Sequence, residues 1–203
     1  MLDEITIVNI RDCLSMSTDN DIQIGEDELK EILSDFSCNK NLDVEKFLKE
    51  QAIEFTRKNQ SVTYLVFNNL SLVGYFTLTI KTITIDARRF SKTFEKKIAR
   101  VGKFDNENAT YTLPAYLIAQ LGKNFNLNSN ELIDGKQLLQ AAIKTIKQIQ
   151  YMIGGMVVFL EAEDNDKLMC FYKEQNGFKE FDTRNILISD GKDCKLIQLL
   201  KVV

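Results

Sequence analysis

The chain has 203 residues, 44% of them hydrophobic and 27% charged, with a formal net charge of −3. That supplies a sizeable core for one domain and, as a whole-molecule charge, selects no partner. There is no histidine, which excludes Ser-His-Asp and Cys-His catalysis and histidine zinc sites, so any chemistry must use carboxylates, tyrosine, lysine, cysteine, backbone dipoles or a bound cofactor.

Cys13, Cys38, Cys170 and Cys194 are dispersed, with no CxxC pair. They read as reduced thiols, and no metal site is expected. Met1-Leu-Asp-Glu lacks the basic and then apolar pattern of a signal peptide, and no apolar run approaches the ~20 residues of a membrane span. The expectation is a cytoplasmic protein without membrane attachment.

In chain order, Ile5–Ile10 alternates and predicts a strand. Residues 11–25 are polar and read partly as a loop. Asp27–Phe36 predicts a helix with Leu29, Ile32, Leu33 and Phe36 on one face. Asp43 is a plausible N-cap for a helix from Val44 to about Lys58. Ser61–Phe67 and Ser71–Ile85 are β-branched and aromatic, and Asn68-Asn69 between them marks a hairpin. Gly74 within the second strand suggests a bulge or a close backbone approach. Residues 81–103 are the most basic segment, with eight Lys or Arg against Asp86 and Glu95. Ser91–Val101 within it predicts a helix, and residues 103–110 a polar loop.

The next stretch organises the chain. An apolar strand, Leu113–Gly122, runs into a polar loop, Lys123–Asp134, and then into an amphipathic helix from Gly135 to about Ile149. A second apolar strand, Met156–Leu160, follows, and a short helix carries Phe171-Tyr172 and closes at Asn176-Gly177-Phe178. This is a βαβ unit with a helix start at its centre. The backbone N–H groups of residues 133–137 would be free to meet a diphosphate, and the same spacing also fits an ordinary capped helix. Phe178–Ile188 and Cys194–Val202 read as two strands joined by a turn at Asp190-Gly191. The order gives a mixed α/β sheet with helices on its faces.

Phe171-Tyr172-Lys-Glu-Gln-Asn-Gly-Phe178, Leu138-Leu139 early in the loop-following helix, and Val73-Gly-Tyr-Phe-Thr-Leu78 together resemble the Gcn5-related N-acetyltransferase (GNAT) superfamily. With Leu113-Pro-Ala heading the central strand, the resemblance is closest to its toxin-like branch, which acts on aminoacyl-tRNA. It covers about residues 44–188. It implies an α+β fold with a mixed, largely antiparallel central sheet flanked by helices on both faces. One GNAT-like domain would span 1–203, with 1–43 as an N-terminal extension. The family's diphosphate loop reads Gln/Arg-x-x-Gly-x-Gly/Ala. Here Asn130 stands at its first position, Ile133 at the middle glycine and Gly135 at the last.

The resemblance implies acetyl-CoA as co-substrate and direct transfer of the acetyl group to a primary amine. Gln120, Leu121 and Lys123 would meet the pantetheine arm, and Asn130, Ile133, Asp134, Gly135 and Lys136 the diphosphate. Tyr172 would be general acid to the leaving thiolate, and Asn124 a weaker contact to cofactor or substrate. Glu161, at the end of the Met156 strand, and Glu163 beside it sit where a carboxylate base could act through water, and equally where a solvated strand end would lie. The basic segment fits a solvated helix or a surface for tRNA. The acceptor is a small or macromolecular amine. The C-terminal strands of such folds often pair between subunits, which would give a homodimer. A degenerate GNAT fold that binds or regulates without turnover is the competing reading.

Overall fold

A computed structural model describes residues 5–14, 25–187 and 193–203. The elements are β1 (Ile5–Asn9), α1 (Ile10–Leu14), α2 (Glu26–Ser34), α3 (Leu42–Lys46), α4 (Ala52–Arg57), β2 (Val62–Asn68), β3 (Ser71–Asp86), α5 (Lys92–Ile98), β4 (Lys103–Asp105), β5 (Thr110–Lys123), α6 (Gly135–Ile153), β6 (Val157–Glu163), α7 (Asp166–Met169), β7 (Lys179–Leu187) and β8 (Asp193–Val202). The strands form one sheet in the order β1-β2-β3-β5-β6-β8-β7, with β4 paired to β5. β5 and β6 are parallel, at Tyr116–Ile118 against Val158–Leu160. The β1–β2, β2–β3, β4–β5, β6–β8 and β7–β8 pairs are antiparallel. The mixed, largely antiparallel sheet is therefore present, with a helix between its two parallel strands.

The chain divides into two compact units, residues 1–79 with 119–144, and residues 80–118 with 145–203. In the first, a core of Ile10, Leu29, Leu33, Phe36, Val44, Leu48 and Tyr75 joins α1, α2 and α3 to the β2–β3 hairpin. The described part of residues 1–43 thus supplies an edge strand and core side chains. In the second, Ile83, Ile98, Leu113, Leu117, Phe159, Phe181 and Leu200 form the core.

Several local expectations change. A helix, Ile10–Leu14, opens the stretch read as a loop, because Ile10 is fully buried and anchors a turn there. Residues 15–24, the rest of that stretch, and the predicted turn at Asp190-Gly191 lie outside the described residues. The helix before β2 is capped by Asn41, whose side chain accepts from the N–H groups of Asp43 and Val44. Asp43 therefore lies inside the first turn and not at the cap. A π-helical turn, Phe47–Gln51, joins α3 to α4. Three residues of the predicted 103–110 loop become β4, paired with Thr110–Thr112. α6 runs four residues past its predicted end.

Gly74 satisfies both readings made for it. The β2–β3 register shifts beside it, since Val66 pairs with Gly74 but Phe67 with Leu72. A Cβ at Gly74 would meet the Gly122 carbonyl oxygen at 2.8 Å and the Leu138 methyls at 3.2 Å. Gly122 is constrained in turn, because its Cβ would lie 2.5 Å from Val44 Cγ1. Gly74→Ala must displace backbone, so we predict a stability loss of about 1–3 kcal/mol in urea unfolding. A loss below ~0.5 kcal/mol would show that β3 and the end of β5 are not in close contact.

Candidate functional site

The first unit carries the elements expected to face a diphosphate. β5 ends at Lys123, and Asn124 turns the chain. Asn124 is buried, at 3% exposure. Its Nδ2 donates to the Leu72 carbonyl at 2.9 Å, and its Oδ1 accepts from the N–H groups of Ser37 at 2.9 Å and Asn126 at 3.0 Å. Its own N–H donates to the Val73 carbonyl and that of Phe125 to Ser37. The Asn124 side chain is thus consumed in joining β3, the segment after α2 and the following loop, which corrects its expected contact with cofactor or substrate. The signal that would have found this role was the buried strand end itself, where unpaired backbone groups need a side-chain partner.

The polar loop then makes a 3₁₀ turn, Asn126–Glu131, with Leu127 and Asn128 both in the left-handed region (φ 47° and 60°). Two such non-glycine residues in succession cost about 1–3 kcal/mol each. Leu127 is 91% exposed at the tip. Asn130 is half-buried on this turn. Ile133 is 2% exposed, so its side chain belongs to the core and only its backbone is available to a ligand. Occupying the middle-glycine position of the family loop therefore does not by itself put a side chain in a ligand's way. Asn68 Nδ2 donates to the Leu132 carbonyl at 3.0 Å and fixes this approach to the helix.

α6 starts in a capping box. The Gln137 N–H donates to Asp134 Oδ1 at 2.7 Å, and the Asp134 N–H donates to Gln137 Oε1 at 2.8 Å. Asp134-x-x-Gln137 is the sequence signature of such a box. The Asp134 carboxylate thus occupies part of the positive helix end. Gly135 and Lys136 follow it, half-buried and exposed respectively. Lys123 is half-buried nearby. Desolvation lowers its pKa first, the charge of Lys40 lowers it further, and the charge of Asp134 raises it. Lys40 itself lies 4.8 Å from the Phe125 ring centroid. The first unit therefore brings together Lys123, Asp134, Gly135 and Lys136, with Lys40 as a cation that sequence reasoning missed. Gln120 and Leu121 are half-buried on β5 just before them.

The second unit carries Tyr172 and Glu161. After α7, residues Cys170–Gln175 form a π-helical turn, a geometry common at functional sites. Tyr172 lies on it, 9% exposed, with its ring edge-on to Phe171 at 4.9 Å and to Phe178 at 5.9 Å. Burial alone pushes its phenol up to about 12. Glu161, on β6, lies opposite Gln198 of β8. Its Oε1 accepts from Gln198 Nε2 at 2.6 Å and faces Arg184 at 3.4 Å. The two residues keep different company, Tyr172 in an aromatic wall and Glu161 in a polar cross-strand cluster. Glu163 ends β6 exposed.

The basic segment is only partly free. Arg88 forms a bidentate pair with Asp86, and Arg89 Nη1 donates to the Phe181 carbonyl at 2.8 Å. Lys92, Lys96, Lys97, Arg100 and Lys103 are exposed. Among the described residues, no metal-binding cluster occurs and no helix is long and apolar enough to cross a membrane.

No protein-family model matches the chain, and no curated protein matches it in sequence. Solved structures do match it in three dimensions. The AtaT toxin complexed with acetyl-methionyl-tRNAfMet superposes with a TM-score of 0.59 at 19% identity, covering 95% of this chain and 94% of the other. The chain has the GNAT fold. A tyrosine-to-phenylalanine mutant of KacT gives 0.58 at 18% identity over 95% and 94% of the two chains. A further bacterial toxin gives 0.57 at 13% identity over 98% and 92%. At these identities the likeness is one of fold.

The Tyr172 environment yields a direct test. An ordinary tyrosine ionises near pH 10, whereas this one holds its proton to about 12. Its neutral form is favoured by folding, so its contribution is complete below pH 10 and is lost as pH rises from there through about 12. We predict that the difference in tyrosinate absorbance between wild type and Tyr172→Phe, followed while circular dichroism shows the fold intact, has its midpoint well above 10. A midpoint at 10 would mean the phenol is solvated.

Proposed function

We propose that the chain is an acetyl-CoA-dependent N-acetyltransferase that acts by direct attack of a primary amine on the thioester. The observation carrying this reading is Tyr172, a phenol buried in an aromatic wall on a π-helical turn of a GNAT fold. The AtaT toxin has been solved with acetyl-CoA, which supports the same co-substrate here. In the first unit, the backbone N–H groups at the start of α6, with Lys123 and Lys136 beside them, suit an anion. Lys123 offsets the Asp134 carboxylate, which would otherwise disfavour an anion at this helix end.

In this scheme the neutral amine attacks the carbonyl carbon and the C–S bond breaks. The developing thiolate accepts a hydrogen bond and then a proton from Tyr172, and the amine proton passes to solvent, from which the phenol is restored. A phenol at about 12 is a weak acid. The thiolate forms in the same apolar surroundings, which raise its basicity by the same cause. Glu161 is not required, because Oε1 is already bound and an amine of low pKa needs little help. Positioning of amine against thioester then supplies most of the acceleration.

Acetyl-CoA at about 1,000 times its Kd should stabilise the protein by about 4 kcal/mol and raise Tm accordingly. The absence of a shift would remove the reading. If binding occurs, Tyr172→Phe should lower kcat by about 10²-fold with KM for acetyl-CoA little changed. Binding without any transfer by wild type would identify a non-catalytic module instead.

A narrower reading takes the acceptor to be the amino group of an aminoacyl-tRNA. It is favoured by the exposed cations on and beside α5 and by the tRNA complex of the AtaT toxin. Charge reversal at Lys96, Lys97, Arg100 and Lys103 should reduce RNA binding and flatten its salt dependence while sparing acetyl-CoA binding. Arg88 and Arg89, already engaged by Asp86 and Phe181, should contribute less. Unchanged RNA affinity in the fourfold variant would remove the narrower reading.

A further inference from the structure

The aromatic wall around Tyr172 is itself held by polar groups that no sequence motif marks. The π-helical turn ends at Asn176, and Gly177 follows at φ 69°. Helix ends leave carbonyls without partners, and several of them have an identifiable donor here. Asn176 Nδ2 donates to the Phe171 carbonyl at 2.7 Å. The Phe178 N–H donates to the Tyr172 carbonyl at 3.0 Å, and the Gly177 N–H to the Lys173 carbonyl at 3.2 Å. One further contact comes from a distant strand. Lys201 of β8 reaches across with its Nζ 2.7 Å from the Asn176 carbonyl and 5.7 Å from the Phe178 ring centroid.

We infer that Lys201 and Asn176 form a positioning clamp for Tyr172, with Lys201 holding the end of its helical turn and the Phe178 ring together. Three facts converge on this role. Lys201 is half-buried, lies in register with Val158 of β6, and makes no ion pair with a carboxylate among the described residues. Its ammonium therefore spends its charge on a helix-terminal carbonyl and an aromatic face, both of which attract a cation. The group it secures is adjacent to Tyr172 by sequence, by hydrogen bond and by ring contact. Asn176 completes the clamp from inside the turn by tying Phe171, the other ring against Tyr172, to the same end. Neither residue needs to touch the reacting atoms, so both act through the orientation of the phenol.

The inference rests on the acetyltransferase reading for its functional content, and its structural content is tested separately. Acetyl transfer is followed by thiol release with acetyl-CoA and methionyl-tRNA as probes, and amide hydrogen exchange is followed over residues 170–178. Lys201→Met should lower kcat by on the order of tenfold to a hundredfold, with KM for acetyl-CoA within about twofold. Lys201→Arg, which keeps a donor and a charge, should recover most of the rate. In a Tyr172→Phe background, Lys201→Met should have little further effect, because the group being positioned is gone. Residues 170–178 should exchange faster in Lys201→Met while the β6–β8 strands keep their protection. Full additivity of the two substitutions, or unchanged kcat in Lys201→Met, would overturn the positioning role. Unchanged exchange over 170–178 would overturn the clamp even in a protein without transfer activity. Failure of the acetyltransferase reading is recognised independently by a wild type whose Tm does not respond to acetyl-CoA.

Discussion

The buried carboxamide of Asn124 is the constraint on which the first unit depends. A strand that ends inside a protein leaves backbone donors and acceptors that water cannot reach, and each costs about 1–3 kcal/mol if unpaired. Asn124 answers for the Leu72 carbonyl and the N–H groups of Ser37 and Asn126 at once. Three separate chain segments are thereby fixed at the point where β5 gives way to the loop. The missing side chains at Gly74 and Gly122 let those segments close on one another. From there the chain has only the short 3₁₀ turn and its two left-handed residues before α6 begins. The start of α6, and the donors it presents, are therefore set by a polar node a dozen residues upstream.

The second unit solves a related problem differently. Tyr172 is kept out of water on a short helical turn. Apolar rings supply the exclusion and raise the phenol's affinity for its proton. Rings alone give little directional restraint, and the hydrogen bonds to the end of the π-helical turn provide it. In the proposed reaction this phenol is the proton donor, in a chain without histidine, and its burial is paired with a polar clamp.

Much of this was legible in the sequence, for physical reasons that vary by element. The β2–β3 hairpin, β5, α6 and β6 follow from hydrophobic period and length, and the Phe171–Phe178 motif pointed to the helix bearing Tyr172. Gly74 was legible because a glycine inside an otherwise ideal strand demands an explanation. The cap at Asn41 was missed because Asp43, two residues on, is an equally good cap by residue type, and only the backbone conformation decides. The π-helical turns have no local signature. Asn124 and Lys201 were not assigned these roles because their partners lie 52 and 25 residues away in sequence. Ile133, at the middle-glycine position of the family loop, is a departure whose consequence residue type alone does not fix. Burial turns its side chain to the core, so identity at that position says little about access to the helix start.

The central proposal is that this chain binds acetyl-CoA. Amide hydrogen exchange with and without saturating acetyl-CoA tests it directly. The account predicts added protection over residues 119–124, 130–138 and 170–176, with the exposed face of α5 unchanged. Protection absent from all three stretches, or confined to other elements, would contradict it.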